Sequence, residues 1–112
     1  MHNLMIIFSI VLIEIIQPKV NLGTIKEGDL KKVVFKIKNN STKPTKIYSV
    51  STSCSCTAPS YPDKIPPKST VDVVINFDSK GIKGSFERNI VLVLDDSVKY
   101  HRLQIVGRVE SK

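Results

Sequence analysis

Tryptophan is absent from this 112-residue chain, and aromatic residues make up only 6% of it. The large pieces of any core must therefore be few, and Phe35, Phe77 and Phe86 are the natural candidates. There are only two cysteines, Cys54 and Cys56, separated by one residue. A staple between facing sheets needs cysteines far apart in the chain, so none can form here. No stretch shows helical spacing over three turns, and no internal repeat is visible. No apolar run approaches the ~20 residues that a spanning helix needs. Gly81 and Gly84 lack the strand-to-helix setting of a phosphate loop. Asp78 lacks the alternating oxygen ligands of a calcium loop. No Ser/His/Asp grouping has support in the sequence. An enzyme is not expected, and no cofactor is implied.

What is present fits one domain. The hydrophobic fraction of 41% is enough for a core. The net charge is +7, from 17 basic and 10 acidic residues. Lys31, Lys32, Lys36, Lys38, Lys43 and Lys46 are the densest cluster, and they interleave with apolar residues. They read as the solvent face of strands. Aromatic residues placed to stack bases are not evident among them, so no nucleic acid partner is expected. Attachment of an acidic polymer to this lysine-rich stretch is a further reading, and it would weaken steeply with salt.

Leu4 to Ile13 form an apolar run of the length of a signal-peptide core. No Lys or Arg precedes it, no small-x-small cleavage site follows it, and no nearby cysteine could carry a lipid. Residues 1–12 therefore read as an apolar leader, a truncated or atypical export signal, with a buried strand as the alternative. Membrane contact is expected only through this leader, if it is uncleaved. The folded domain is expected over 13–112.

Within that span the pattern is of strands. Val33, Phe35 and Ile37 alternate with Lys32, Lys36 and Lys38, the two-residue period of a half-buried strand. Val71, Val73, Ile75 and Phe77 repeat it. Ile90 to Leu94 is apolar on both faces, which suits a central strand. Shorter extended pieces are expected at 13–17, 20–25 and 45–50, with a last strand through Leu103, Ile105 and Val109. Thr52 to Pro62 reads as a loop, and Pro66-Pro67 bars the following stretch from a central ladder. About seven short strands with frequent turns predict an all-β sandwich.

Ordered strings sharpen this. Leu22-Gly23-Thr24-Ile25-Lys26-Glu27-Gly28, Phe35-Lys36-Ile37-Lys38-Asn39 and Ser51-Thr52-Ser53-Cys54-Ser55-Cys56-Thr57 are followed by Ile65-Pro66-Pro67 and Phe77-Asp78-Ser79-Lys80-Gly81-Ile82-Lys83-Gly84. In this order they resemble the bacterial exported immunoglobulin-like family catalogued as domain of unknown function 1573. The departures are Leu22, where the family usually has an aromatic residue, and Ser55, where it usually has Gly. The resemblance implies an immunoglobulin-like β-sandwich, akin to the domains of major sperm protein and pilus chaperones. It also implies export to the periplasm, the cell surface or the medium. It carries no established activity.

The cysteine pair is the chemically suggestive feature. Thiols at i and i+2 of an extended chain share a side, with Cα atoms roughly 6.5–7 Å apart. That is at the limit for a disulfide, which would need a turn at Ser55 and be easily reduced. Two thiolates could instead hold a soft ion such as Cu(I), so Cys54 and Cys56 are candidate metal ligands. Zinc normally takes four ligands, and no others stand at finger-like spacing. The plain alternative is two small, semi-buried residues shaping a loop. His101 reads as structural, and Asp95-Asp96 as turn residues. The expected function is a non-catalytic exported binding or scaffolding module of unknown ligand. Its partner would be an unknown protein or a component of the cell envelope, accepted along exposed sheet edges. The alternative is a thiol redox or copper-handling protein using the Cys-x-Cys loop.

Overall fold

The computed structural model describes residues 12–52 and 59–112. Eight strands follow one another: β1 (Ile13–Ile15), β2 (Lys19–Lys26), β3 (Leu30–Asn39), β4 (Thr45–Thr52), β5 (Lys64–Ile65), β6 (Ser69–Asp78), β7 (Gly84–Leu94) and β8 (Tyr100–Glu110). They form a three-stranded sheet in the order β1-β3-β6 and a five-stranded sheet in the order β2-β8-β7-β4-β5. All pairings are antiparallel except β2 with β8. The architecture is an all-β sandwich, as the alternation predicts. The strand beyond the expected seven is β5, two residues long, which stops at Pro66 because proline cannot donate to a ladder.

One side of each strand builds the core. On β3 the inward residues are Val33, Phe35 and Ile37; on β6 they are Val73, Ile75 and Phe77. They pair across the sheet as Val33–Ile75, Phe35–Val73 and Ile37–Val71. Facing them are Ile90, Leu92 and Leu94 of β7, with Leu103 and Ile105 of β8, all fully buried. The three expected large residues meet their role: Phe35, Phe77 and Phe86 are all buried. The rings of Phe77 and Phe86 stack across the sandwich at 5.0 Å between centroids, 15° apart. Burying each such side chain contributes about 1.5–3 kcal/mol. Leu22 is half-buried and packs against this cluster. β7 does lie centrally, between β8 and β4. Only its inner face is covered, however, and Val91 remains exposed on the outer one.

Two buried polar residues lock the sheets together. Asn39 continues the inward series of β3 and is fully buried. Its side-chain amide donates to the carbonyls of Lys43 (2.8 Å) and Ile65 (2.9 Å). Its carbonyl oxygen accepts from the N–H (2.9 Å) and hydroxyl (2.7 Å) of Ser41. One side chain thus organises the β3–β4 turn and ties it to β5 in the other sheet. Ser79 does the same at the other end of β6. Its hydroxyl lies 2.8 Å from the Lys26 carbonyl and 3.0 Å from that of Asp29, and its N–H donates to Asp29 O at 3.1 Å. The N–H of Gly81 donates to Glu27 Oε2 at 3.3 Å. Strings that mark the family therefore meet in pairs: 22–28 with 77–84, and 35–39 with 65–67. In both junctions they satisfy backbone groups at turns.

The sheet edges are covered only in part: among the described residues β1 pairs with β3 at Ile37, Lys38 and Asn39, and β5 with β4 at Thr45 and Lys46, so the remaining outer sides of β3 and β4 carry no ladder partner. β1 has only three residues. β2 is bulged between Asn21 and Thr24, where Gly23 takes a φ of +69°. β5 is two residues long. On the outer side of β6, Ser60 exchanges two 2.9 Å backbone hydrogen bonds with Val74. Pro59 and Pro62 flank that bridge and prevent its extension. Shortness, bulging and proline are the usual ways of closing an edge to strand addition.

Candidate functional site

Cys54 and Cys56 lie outside the described residues, as do residues 1–11 of the apolar leader. The chain on either side of the cysteine segment is anchored: Thr52 pairs with Ile90 in the five-stranded sheet, and Ser60 with Val74 of the three-stranded one. Among the described residues, no three His, Cys, Asp or Glu side chains converge as a metal site.

The most organised polar feature is the turn between β7 and β8. Asp96 Oδ1 accepts the Lys99 N–H at 2.7 Å, and Asp96 Oδ2 lies 2.9 Å from His101 Nε2. Both side chains are largely shielded, with 13% of His101 and 12% of Asp96 exposed. His101 shares the inward direction of Leu103 and Ile105, which explains its shielding. Lys99 is held at φ +71°, a conformation rare for a residue with a Cβ. Asp96 thus grips the residues on both sides of Tyr100, which points the opposite way and is 60% exposed. The sequence reads Asp96 as a turn residue, and the structure adds its contact with His101.

Beside this turn the sandwich opens at one end into a cleft of ≈ 890 Å³. Leu12, Ile13 and Val98 supply apolar surface, and Asp96, His101 and Lys43 supply polar groups.

The outer face of the five-stranded sheet carries a second organised feature. Tyr48 is the extra residue of a bulge in β4: Ile47 pairs with Leu94, and Ser49 with Val93. A bulge re-aims its side chain, and Tyr48 is 53% exposed. Val93 also pairs with Tyr100 of β8. Tyr48, which adjoins the Ser49–Val93 pair, and Tyr100, which pairs with Val93, thus form an offset row across three strands, with Val91 and Arg102 in the next row. Lys46 Nζ sits 5.4 Å from the centre of the Tyr48 ring, and Lys99 Nζ sits 5.3 Å from that of Tyr100. The expectation that no aromatic residue accompanies the lysine cluster fails at Lys46. The alternation of β8 does place Tyr100 on the solvent side, opposite Leu103 and Ile105. Nothing in the sequence marks the bulge at Tyr48.

Fold and surface together define a small immunoglobulin-like β-sandwich with an exposed, tyrosine-bearing sheet face. The family described as protein of unknown function (DUF1573) matches residues 13–109, and the chain belongs to it. No curated protein matches the chain. Among solved structures, a protein of unknown function from Porphyromonas gingivalis superposes with a TM-score of 0.76 at 18% identity, over 87% of this chain and 46% of its own. The ASH/PapD-like domain of human CEP192 gives 0.70 at 14% identity, over 90% and 87%. The secreted serine protease VesC of Vibrio cholerae gives 0.65 at 11% identity, over 87% of this chain but 23% of the protease. The chain thus spans less than half of the Porphyromonas protein and under a quarter of VesC. At these identities the likeness concerns the fold alone.

Proposed function

We propose that this domain is a non-catalytic binding or scaffolding module that works outside the cytoplasm. The observation that carries the reading is the construction of the β7–β8 turn. Asp96 holds Lys99 in a costly backbone conformation and fixes His101, and the product is a rigidly presented Tyr100. Strained, exposed, well-supported residues are characteristic of recognition surfaces. Tyr100 stands on the outer face of the five-stranded sheet, so this reading puts the partner on a sheet face. Export is supported by the apolar leader and by the family resemblance.

A photoreactive residue at position 100 tests the binding reading. In cells making the full chain, it should give a reproducible adduct from the envelope fraction, while the same residue at Lys36 should not. The adduct should survive in a Cys54→Ser, Cys56→Ser double variant; its loss there would transfer the role to the thiols. No adduct from position 100 would refute the binding surface. Recovery of the chain in the cytoplasmic fraction would refute the location.

A further inference from the structure

The lysine cluster is divided between the two sheets, with Lys32, Lys36 and Lys38 on β3 and Lys46 on β4. On the outer face of the three-stranded sheet, Lys36 Nζ donates to Asp72 Oδ1 at 2.9 Å. Lys38 stands opposite Glu14 in the β1–β3 register. That face is close to neutral. On the five-stranded sheet, Lys26 meets Glu110 at 3.7 Å, and Glu87 accepts a hydrogen bond from Gln104. Lys19, Lys46, Lys64, Arg102 and Arg108 have no carboxylate within ion-pair distance among the described residues. Asp63 and Asp95 adjoin Ile47 and Lys46 through backbone hydrogen bonds, yet Lys19, Lys26, Lys46, Lys64, Arg102 and Arg108 outnumber the acids on this side, and a one-sided field attracts an anionic partner.

The same face carries the aromatic row. Tyr48 and Tyr100 lie on β4 and β8, the strands on either side of β7, so two inter-strand steps, roughly 10 Å, separate the strands that carry them. Their rings and the two valines offer flat apolar surface in the midst of the cations. That combination fits alternating needs along one partner: apolar C–H faces to lie on the tyrosines, and carboxylates to reach Lys46, Lys99 and Arg102. Arg102 can take a carboxylate with two parallel hydrogen bonds. A chain of uronic acid rings has this composition, with a carboxylate on each ring and alternate rings spaced much like the strands that carry the two tyrosines. An acidic peptide would draw its affinity mainly from a sheet edge, whereas the tyrosines and cations here lie on a sheet face.

Building on the reading as a binding module, we propose that the outer face of the five-stranded sheet is a docking surface for a carboxylate-bearing polysaccharide. Tyr48 and Tyr100 stack on its rings, and Lys46, Lys99 and Arg102 engage its carboxylates.

Titration of the full chain with polygalacturonate tests this, with neutral dextran and single-stranded DNA as comparisons. Polygalacturonate should bind, dextran should not, and binding should weaken steeply as salt rises through the screening range. A Tyr48→Ala, Tyr100→Ala double variant should lose about tenfold in affinity, as removal of two stacking surfaces predicts. Tyr48→Phe, Tyr100→Phe should keep most of it, which separates lost stacking from lost folding. Arg102→Ala should weaken binding several-fold, and Lys36→Ala should leave it unchanged. Equal binding of dextran, tighter binding of DNA, insensitivity to the tyrosines, or no binding of polygalacturonate would each overturn the proposal. A protein adduct from position 100 together with no glycan binding would keep the module and discard the glycan.

Discussion

His101 and Asp96, five residues apart, meet at 2.9 Å on the inner side of the β7–β8 turn, while Tyr100 between them faces solvent. The pair divides the turn into a buried support and an exposed tip. Asp96→Ala removes the acceptor for both the Lys99 N–H and the His101 ring. It should cost about 1–3 kcal/mol, the penalty for stranding shielded polar groups. Urea unfolding measures the loss, and amide exchange should rise at Lys99 and His101 before it rises in the core.

Asn39 offers a sharper stability test. Asn39→Ala abandons the carbonyls of Lys43 and Ile65 and both donors of Ser41. The expected loss is roughly 2–4 kcal/mol. Asn39→Asp should fare little better, because a carboxylate cannot donate to the two carbonyls. A midpoint in urea equal to that of the wild type would disprove the role of Asn39 as the tie between sheets.

Gly107 and Gly23 should respond differently to alanine. A Cβ on Gly107 would stand 2.9 Å from the Gly23 carbonyl and from the Phe86 ring. Gly107→Ala should therefore cost about 1–3 kcal/mol by overpacking and shift the ring resonances of Phe86 and Phe77. Gly23 has open space around it and only its positive φ to defend. Gly23→Ala should cost about 1 kcal/mol and leave those resonances in place.

How far the sequence could be read follows from what each feature depends on. The strands through Val33–Ile37 and Val71–Phe77 were legible because a half-buried strand writes its period directly into residue type. Asn39 and His101 carried the same signal, since each continues an inward series, but polar residues at such positions need partners that only the fold supplies. Ser79 answers to carbonyls some fifty residues away, and nothing local reveals them. The row formed by Tyr48, Val93 and Tyr100 depends on a bulge and on register across three strands. The cationic face was obscured for a related reason: Lys36 and Lys38 are conspicuous in the chain, yet their neutralising partners belong to other strands.

Edge closure predicts a solution property. Replacing Pro59 and Pro62 with valine would free the outer side of β6 for longer pairing. Such a variant should elute earlier than the unaltered chain on size exclusion, as a larger species. A double variant that elutes with the unaltered chain would show that the prolines do not guard this edge.

The parallel pairing of β2 with β8 has a consequence in time. Among the described residues β2 finds its ladder partner in β8, from Lys19 opposite Gln104 to Lys26 opposite Glu110. During synthesis, the early strand must wait until β8 has emerged. Such distant pairing slows folding, and it keeps the domain open until β8 is made. A chain truncated before β8 should therefore behave as an unfinished protein rather than as a slightly smaller one.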